Sequence, residues 1–207
     1  MRFLITAGGT REYIDPVRFI SNASSGRMGY ALVRAAIKAG HKVTLITAPV
    51  AIRPPVEARI INVQTAAQMF NAVRKNFKKC DCLIMAAAVA DYTPAKTAKT
   101  KIKKADKPLH IKLKPTPDIL KWAGKHKIEN QLLVGFALED SAVRTRAERK
   151  LKEKNLDVIV ANTPTAIGLE KADVQMKIAG RSWLKFNQMP KTKIAGRIIA
   201  AVEKLFV

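Results

Sequence analysis

Cysteine is almost absent from this chain: Cys80 and Cys82, flanking Asp81, are the only two in 207 residues. They supply no disulfide framework, and the two thiols are expected to face apart and stay unpaired. Long apolar runs are missing as well. The longest, from Cys82 to Ala90, has nine residues, far below the roughly 20 that cross a bilayer. Met1 passes at once through Arg2 into a strand-like stretch, so no cleavable signal peptide is expected and the expected compartment is cytoplasmic. His41, His110 and His126 lack metal-ligand spacing, and no Ser, His and Asp arrangement suggests a covalent mechanism. Acidic residues are scarce, 16 Asp and Glu against 38 Lys and Arg, for a formal net charge of +22. What is plentiful is apolar side chain, 48% of the chain, which excludes wholesale disorder and can fill a sizeable core.

So positive a chain makes nucleic acid a candidate partner, because clustered lysines neutralise phosphates and release counterions. The clustering is strong: eleven Lys lie between Lys96 and Lys127, against Asp106 and Asp118 alone. Yet this stretch has one aromatic, Trp122, too few for the stacking surface of a single-strand binder. It also lacks zinc-finger ligands, a basic-zipper heptad and an RNA-recognition signature. Lysine, rather than bidentate arginine, is the usual residue of a solvated face. A solvated basic face serving a small anionic substrate is therefore favoured over nucleic acid.

Apolar periodicity divides the chain into alternating elements. Residues 2–7 read as a first strand that runs into Gly8 and Gly9. A helix begins near Gly26, with Met28, Leu32, Ala35 and Ala36 on one face, and ends at Gly40. Strands follow at 42–47 and 58–63, then a helix capped by Thr65 and running to Lys79. The stretch 81–92, apolar throughout, reads as a central strand covered on both sides. Pro117 at the first helical position and Asp118 in the first turn open a short helix. Strands are expected at 132–138 and 156–161, joined by the charged helix 142–154. An edge hairpin turning at Gly180 follows, then a last helix starting at Pro190. This alternation predicts an α/β fold: a mostly parallel twisted sheet with helices on both faces, in one domain over 1–207. Between 93 and 114 the pattern changes. The alternation of apolar residues and Lys in "KIKK" and "LHIKLK" reads as two exposed β-ribbon arms that dock on a second copy of the chain.

Ligands bind such sheets beyond the carboxyl ends of the strands, here 8–9, 47–49, 88–92 and 136–139. The connection "TAGGTREYIDPVRFISNASSGRMG", Thr6 to Gly29, is long for a compact domain and reads as functional. Gly8 and Gly9 let the backbone approach a ligand. Ser24, Ser25 and Gly26 stand at a helix N-terminus, where free N–H groups and the dipole favour phosphate, and either serine is expected to cap the helix. The spacing is not G-x-G-x-x-G and no Walker lysine follows. In "AAAVADYTP" the small residues before Asp91 let a flat ligand lie against the strand end. Asp91 then meets a ribose hydroxyl, a base amino group or a metal, or merely forms the turn before Pro94. Phe136 is either a platform for a base or plain core. Lys150 and Lys154, at i and i+4, either grip a phosphate together or form a solvated face. Chemistry from such groups rests on positioning and electrostatics, as in nucleotidyl transfer.

Taken in order, "TAGGTREYIDPVRFISNASSGRMG", "AAAVADYTP", "KIKK", "PTPDIL", "VGFALE" and "KNLDVIVAN" resemble the phosphopantothenate–cysteine ligase family over essentially the whole chain. One departure is local: "GGT" stands where related sequences often carry "GPT". The resemblance implies a Rossmann-like nucleotide-binding ligase of coenzyme A biosynthesis. In that family the carboxylate of 4′-phosphopantothenate attacks the α-phosphate of CTP (ATP in the eukaryotic branch), giving an acyl-nucleotidylate and pyrophosphate. Mg²⁺ is bound mainly through the nucleotide phosphates, and the amine of cysteine then displaces CMP. The resemblance implies nucleotide contacts at Met85, Ala86, Ala87, Asp91, Lys101, Pro117, Asp118, Ile119, Leu120, Phe136, Lys150 and Lys154. It implies Asn22 at the acyl intermediate and Arg18 near the acyl substrate, catalytic together with Lys101. It also implies a homodimer with the 93–114 arm crossing between subunits. With Met1 directly before the first strand, a free-standing ligase is expected, beside a separate phosphopantothenoylcysteine decarboxylase. Two other classes compete: an NAD(P)-dependent oxidoreductase, against which stand the missing glycine fingerprint and the missing Tyr-x-x-x-Lys pair, and a basic nucleic-acid-binding protein.

Overall fold

The structure is a computed structural model that describes residues 1–163 and 169–206. In chain order the elements are β1 (Arg2–Ala7), β2 (Arg11–Tyr13), β3 (Phe19–Ser21), α1 (Arg27–Lys38), β4 (Lys42–Thr47), β5 (Arg59–Asn62) and α2 (Ala66–Phe77). Then come β6 (Cys82–Met85), β7 (Tyr92–Pro94), β8 (Leu113–Pro115), α3 (Ile119–His126), β9 (Leu132–Leu138) and α4 (Val143–Glu153). The chain closes with β10 (Val158–Asn162), β11 (Lys171–Ile178), β12 (Trp183–Pro190) and α5 (Lys191–Glu203). Six strands run parallel in the order β10-β9-β6-β1-β4-β5, and β11 and β12 extend the β10 edge as an antiparallel hairpin. Counted along the chain, the six parallel strands stand 3-2-1-4-5-6 from the β5 edge, the order of doubly wound dinucleotide folds.

Strand alternation separates two cores. Phe3, Ile5 and Ala7 of β1, with Ile84 of β6 and Val134 of β9, pack beneath α1 and α5. Leu4, Leu83, Met85 and Leu133 face α2, α3 and α4. Each fully buried Leu, Ile or Phe among them stabilises the fold by about 1.5–3 kcal/mol. Helix α1 lies so close to β1 that a Cβ on Gly29 would stand 2.6 Å from that of Ala7. Cys80 and Cys82 fall into opposite cores and are both free. Burial pushes the Cys80 thiol up to about 12, so it is no nucleophile at neutral pH. No helix among the described residues is long and apolar enough to cross a membrane.

Several expectations change at the edges of these elements. The central strand stops at Met85 instead of reaching Tyr92. The N–H groups of Ala87 and Ala90 turn aside to the buried hydroxyls of Thr6 (3.1 Å) and Thr10 (2.9 Å), leaving one bridge between Gly9 and Ala88. Neither Ser24 nor Ser25 caps α1 through its side chain. The N-cap is Gly26 at φ 73, outside the extended conformation from which a serine oxygen reaches the first turn, and Ser24 Oγ accepts the Gly26 N–H instead. Asp118 is the N-cap of α3, accepting from Lys121 N at 2.9 Å, so Pro117 precedes the helix and does not begin it. Pro190 likewise is the N-cap of α5. The 93–114 segment is not a ribbon: only β7 and β8 pair, at its base. Between them the backbone bonds to the connection after β1, while alternate lysines, with no strand opposite, stay in water.

That connection is itself folded, through the short β2–β3 hairpin. Its Glu12, 3% exposed, accepts the N–H of Ala66, the first residue of α2, at 2.8 Å. A capping box from Thr65 and Gln68 completes the same helix end. Replacing Glu12 with Ala strands a buried helix N–H at a cost of about 1–3 kcal/mol, whereas Glu12→Gln keeps an acceptor. Urea unfolding is expected to place the Ala midpoint clearly below that of the Gln variant, and coincident midpoints would show that the carboxylate does not anchor α2.

Candidate active site

A cavity of about 570 Å³ opens where the strand order reverses, between the carboxyl ends of β1 and β6, and continues toward β9 and β10. One wall is Asn22 to Gly29, ending in the first turn of α1. The floor is Met85 to Val89, and the opposite wall is Thr116 to Leu120 with Asp91. Phe136 and Leu138 at the end of β9, Lys150 and Lys154 of α4, and Asn162, Val174 and Lys191 close the far end.

The floor owes its shape to the hydroxyls that stop β6. Because Thr6 and Thr10 take the Ala87 and Ala90 N–H groups, and Thr116 Oγ1 donates to Ala90 O at 2.6 Å, Ala86 to Ala88 form a partly exposed ledge. Asn22 reaches across from the other wall, its Nδ2 donating to Ala88 O (3.3 Å) and Val89 O (3.2 Å). These two long bonds hold the Asn22 amide at the seam between the two strand ends.

The charges in the cavity are Arg27, Lys150, Lys154 and Lys191 against Asp91 and Asp118. Lys154 pairs with Asp118 at 2.7 Å. Burial pushes the Asp118 carboxyl up, but the hydrogen bonds from Lys154 and Lys121 outweigh it and leave a net downward shift, so this carboxylate stays ionised. Lys150 donates to Phe136 O at 2.9 Å, which ties α4 to the end of β9. Burial, and then the nearby Lys154, lower its pKa. Lys191 is lowered too, by burial and by Arg27. Like charges brought this close and half buried favour an anionic ligand with several charges. Among the described residues no three His, Cys, Asp or Glu side chains converge on one point as a metal shell.

Of the residues singled out from sequence, the fold brings Asn22, Ser24, Ser25, Gly26, Met85, Ala86, Ala87, Asp91, Pro117, Asp118, Ile119, Leu120, Phe136, Lys150 and Lys154 to this one cavity. Gly8 and Gly9 lie behind it, in the turn after β1. Arg18 and Lys101 are exposed and outside it: Arg18 pairs with Asp15, and Lys101 sits on the arm. Arg27, Lys191 and Asn162 line the cavity and were not singled out. Arg27 directly follows the glycine- and serine-rich run and Asn162 ends the "KNLDVIVAN" motif, both usable signals, but Lys191 arrives from distant sequence and carries none.

Residues 1–206 match the DNA/pantothenate metabolism flavoprotein C-terminal domain family, and the chain belongs to that family. A relative named cysteine/cysteine sulfinic acid decarboxylase, from an unknown prokaryotic organism, is 47% identical over 206 residues, covering 97% of this chain and 57% of the relative. The coenzyme A biosynthesis bifunctional protein CoaBC of Borreliella burgdorferi is 40% identical over 200 residues, 96% of this chain and 51% of its own. That of Bacillus subtilis is 49% identical over 166 residues, 80% of this chain and 41% of its own. The chain thus spans about half the length of the curated relatives it matches. The crystal structure of the C-terminal domain of a CoaBC protein superposes with a TM-score of 0.85 at 39% identity, covering 99% of this chain and 94% of that one.

The lowered pKa of Lys150 has a measurable consequence. The cation is the binding form, so affinity for tripolyphosphate is present below that pKa and falls as pH rises through it, before the ordinary lysine range near about 10.4. Lys150→Met is expected to weaken binding roughly tenfold at neutral pH, the worth of one charge-assisted hydrogen bond, and to remove the early part of the alkaline decline. Calorimetric titration over that pH range checks both, and an unchanged pH profile would take Lys150 out of the anion site.

Proposed function

We propose that this chain ligates 4′-phosphopantothenate to cysteine in coenzyme A biosynthesis, through an acyl-nucleotidylate made from CTP, with ATP as the other candidate nucleotide. The observation that carries this reading is the one cavity that joins the alanine ledge, four cationic side chains and the Asn22 amide at a topological switch point. The family to which the chain belongs, and the relatives named for coenzyme A biosynthesis, support it.

In this reading the base lies over Ala86 and Ala87 toward Phe136, and the triphosphate faces the start of α1 with Arg27, Lys150 and Lys191. A carboxylate oxygen of phosphopantothenate attacks the α-phosphorus, and the bond to the β-phosphate breaks, with pyrophosphate taking the electron pair. The cations stabilise that charge as it moves onto the leaving group. The amine of cysteine then attacks the acyl carbon, loses a proton, and the nucleoside monophosphate departs. Asn22, giving up one of the two long bonds from its Nδ2 to Ala88 O and Val89 O, donates to the oxyanion of that second step. Asp91 and Asp118 stand on separate segments, and Asp118 is held by Lys154. That donor set suits Mg²⁺ carried mainly by the nucleotide phosphates, with Asp91 beside it. The metal would shield phosphate charge during attack.

A homodimer belongs to the same proposal. Val17, Phe19 and Ile20 of the hairpin, Tyr92 at the base of the arm, and Leu109 and Leu113 within it expose apolar surface on neighbouring segments. Lys101 lies outside its own chain's cavity, so the 93–114 arm of a second copy is the natural route by which it meets the nucleotide. A phosphopantothenoylcysteine decarboxylase is the activity that consumes the product.

Incubation with 4′-phosphopantothenate, cysteine, Mg²⁺ and each nucleotide in turn tests the activity, through release of pyrophosphate and nucleoside monophosphate. No turnover with any nucleotide would refute it, and release of CO2 from cysteine or cysteine sulfinic acid would favour the activity named for one relative. Asn22→Ala is expected to form the intermediate but pass it to cysteine about 10²–10³ times more slowly, the usual cost of an oxyanion donor. Mass spectrometry of quenched reactions should show it accumulating. Among the lysines of the arm, Lys101→Gln is expected to cripple pyrophosphate release without cysteine. Lys99→Gln and Lys107→Gln, which alter exposed charges worth little individually, should be nearly silent. Equal rates in the three would assign the charge to a solvated face.

A further inference from the structure

Asp15 is the one acidic side chain in the connection after β1 that is wholly shielded from solvent, at 0% exposure, and the reaction outlined above makes no use of it. Its two oxygens do different work. Oδ1 accepts the N–H groups of Val17 (2.9 Å) and Arg18 (2.8 Å) and so closes the turn between β2 and β3. Oδ2 accepts Arg18 Nε at 2.9 Å, a short second bond from Arg18 Nη2, and the backbone N–H of Ile102 at 3.1 Å. Arg18 Nη2 also donates to the Ile102 carbonyl at 2.6 Å. The residue next to Lys101 is therefore gripped on both its N–H and its C=O by one ion pair. Two further bonds lay the arm along the hairpin, Thr97 Oγ1 to Tyr13 O at 3.0 Å and Ala98 N to Ile14 O at 2.9 Å. The Arg18 guanidinium, with the three backbone N–H groups, holds the Asp15 carboxyl well below the usual carboxylate range, so the clasp is charged across the physiological range.

We infer that Asp15 is a positioning residue of the ligase reaction: with Arg18 it clasps the backbone at Ile102 and thereby fixes where the arm presents Lys101. The inference rests on the reading that Lys101 serves the nucleotide phosphates. Its physical core is that an exposed lysine on a segment without regular structure loses its reach to conformational freedom, and the clasp removes that freedom at the adjacent residue. Arg18 is then occupied by the clasp, and its guanidinium is oriented by a buried carboxylate.

Asp15→Asn separates the two roles, because its amide oxygen can still close the turn while its NH2 group would face the Ile102 N–H and the Arg18 donors. Hydrogen exchange followed by mass spectrometry is expected to show lost protection over 97–104 with the peptides of β1 and β6 unchanged. Pyrophosphate release from CTP and phosphopantothenate is expected to fall about 10²-fold, the scale of an angstrom-sized misplacement. Introduced into Lys101→Gln, the same substitution should add almost nothing, since both act through one group. A purely structural role would instead give additive losses, which would overturn the inference, as would unchanged exchange or an unchanged rate. A silent Lys101→Gln with a freed arm in Asp15→Asn would fault the nucleotide role of Lys101, and with it the positioning. Should Asp15→Asn not fold, the unaltered protein decides: by NMR the Ile102 amide must exchange far more slowly than those of Lys101 and Lys103, and equal rates overturn the clasp.

Discussion

The N–H groups of Ala87 and Ala90 bond to the buried hydroxyls of Thr6 and Thr10 instead of continuing the parallel ladder. A central strand flanked by parallel neighbours would otherwise have every backbone group committed along its length. Here the ladder is released after Met85 without leaving those N–H groups unpaired. Three things depend on that release: the alanine ledge, the seam that Asn22 spans, and the opening between β1 and β6 into which the cavity extends. Residues with little chemistry of their own thus shape the surface on which the chemistry is proposed.

The electrostatics divide into two regimes. Most of the +22 charge is solvated, and each such lysine contributes little on its own. The cavity is different, because Lys150 and Lys191 are partly shielded from water and face other cations, so a polyanion that neutralises them gains more than it would at the surface. Buried carboxylates do the opposite work, organising structure where no ligand is expected. Glu12 anchors α2 and Asp15 gathers the hairpin and the arm. Both lie in the connection after β1, which explains why so long a connection is folded.

The periodic elements were legible because their apolar patterns need only a buried face. Strands β1, β4 and β9, the Thr65 cap of α2 and helix α4 stand at the expected positions to within a residue or two, and the β11–β12 hairpin turns where expected but between longer strands. The errors arose where residue type was right but the backbone or the partner it required was not in place. The ribbon expected over 93–114 had the right alternation, but alternation specifies a strand only when another strand lies opposite. Likewise Ser24 and Ser25 had the right chemistry for a cap, but Gly26 has the wrong backbone geometry for either to serve.

The sequence by itself determined the α/β class, the strand-end motifs and, through their resemblance to one ligase family, a set of candidate residues most of which the fold brings to one cavity. Those follow from side-chain period and residue type, properties carried by neighbouring positions. Only the tertiary structure decided that Arg27, Lys191 and Asn162 share the cavity with Lys150, that Arg18 is held by Asp15, and that Lys101 stands outside its own chain's cavity. The reason is physical. A cavity at a topological switch point is assembled from the ends of strands and helices far apart along the chain, and no local pattern records which ends the sheet order will bring together.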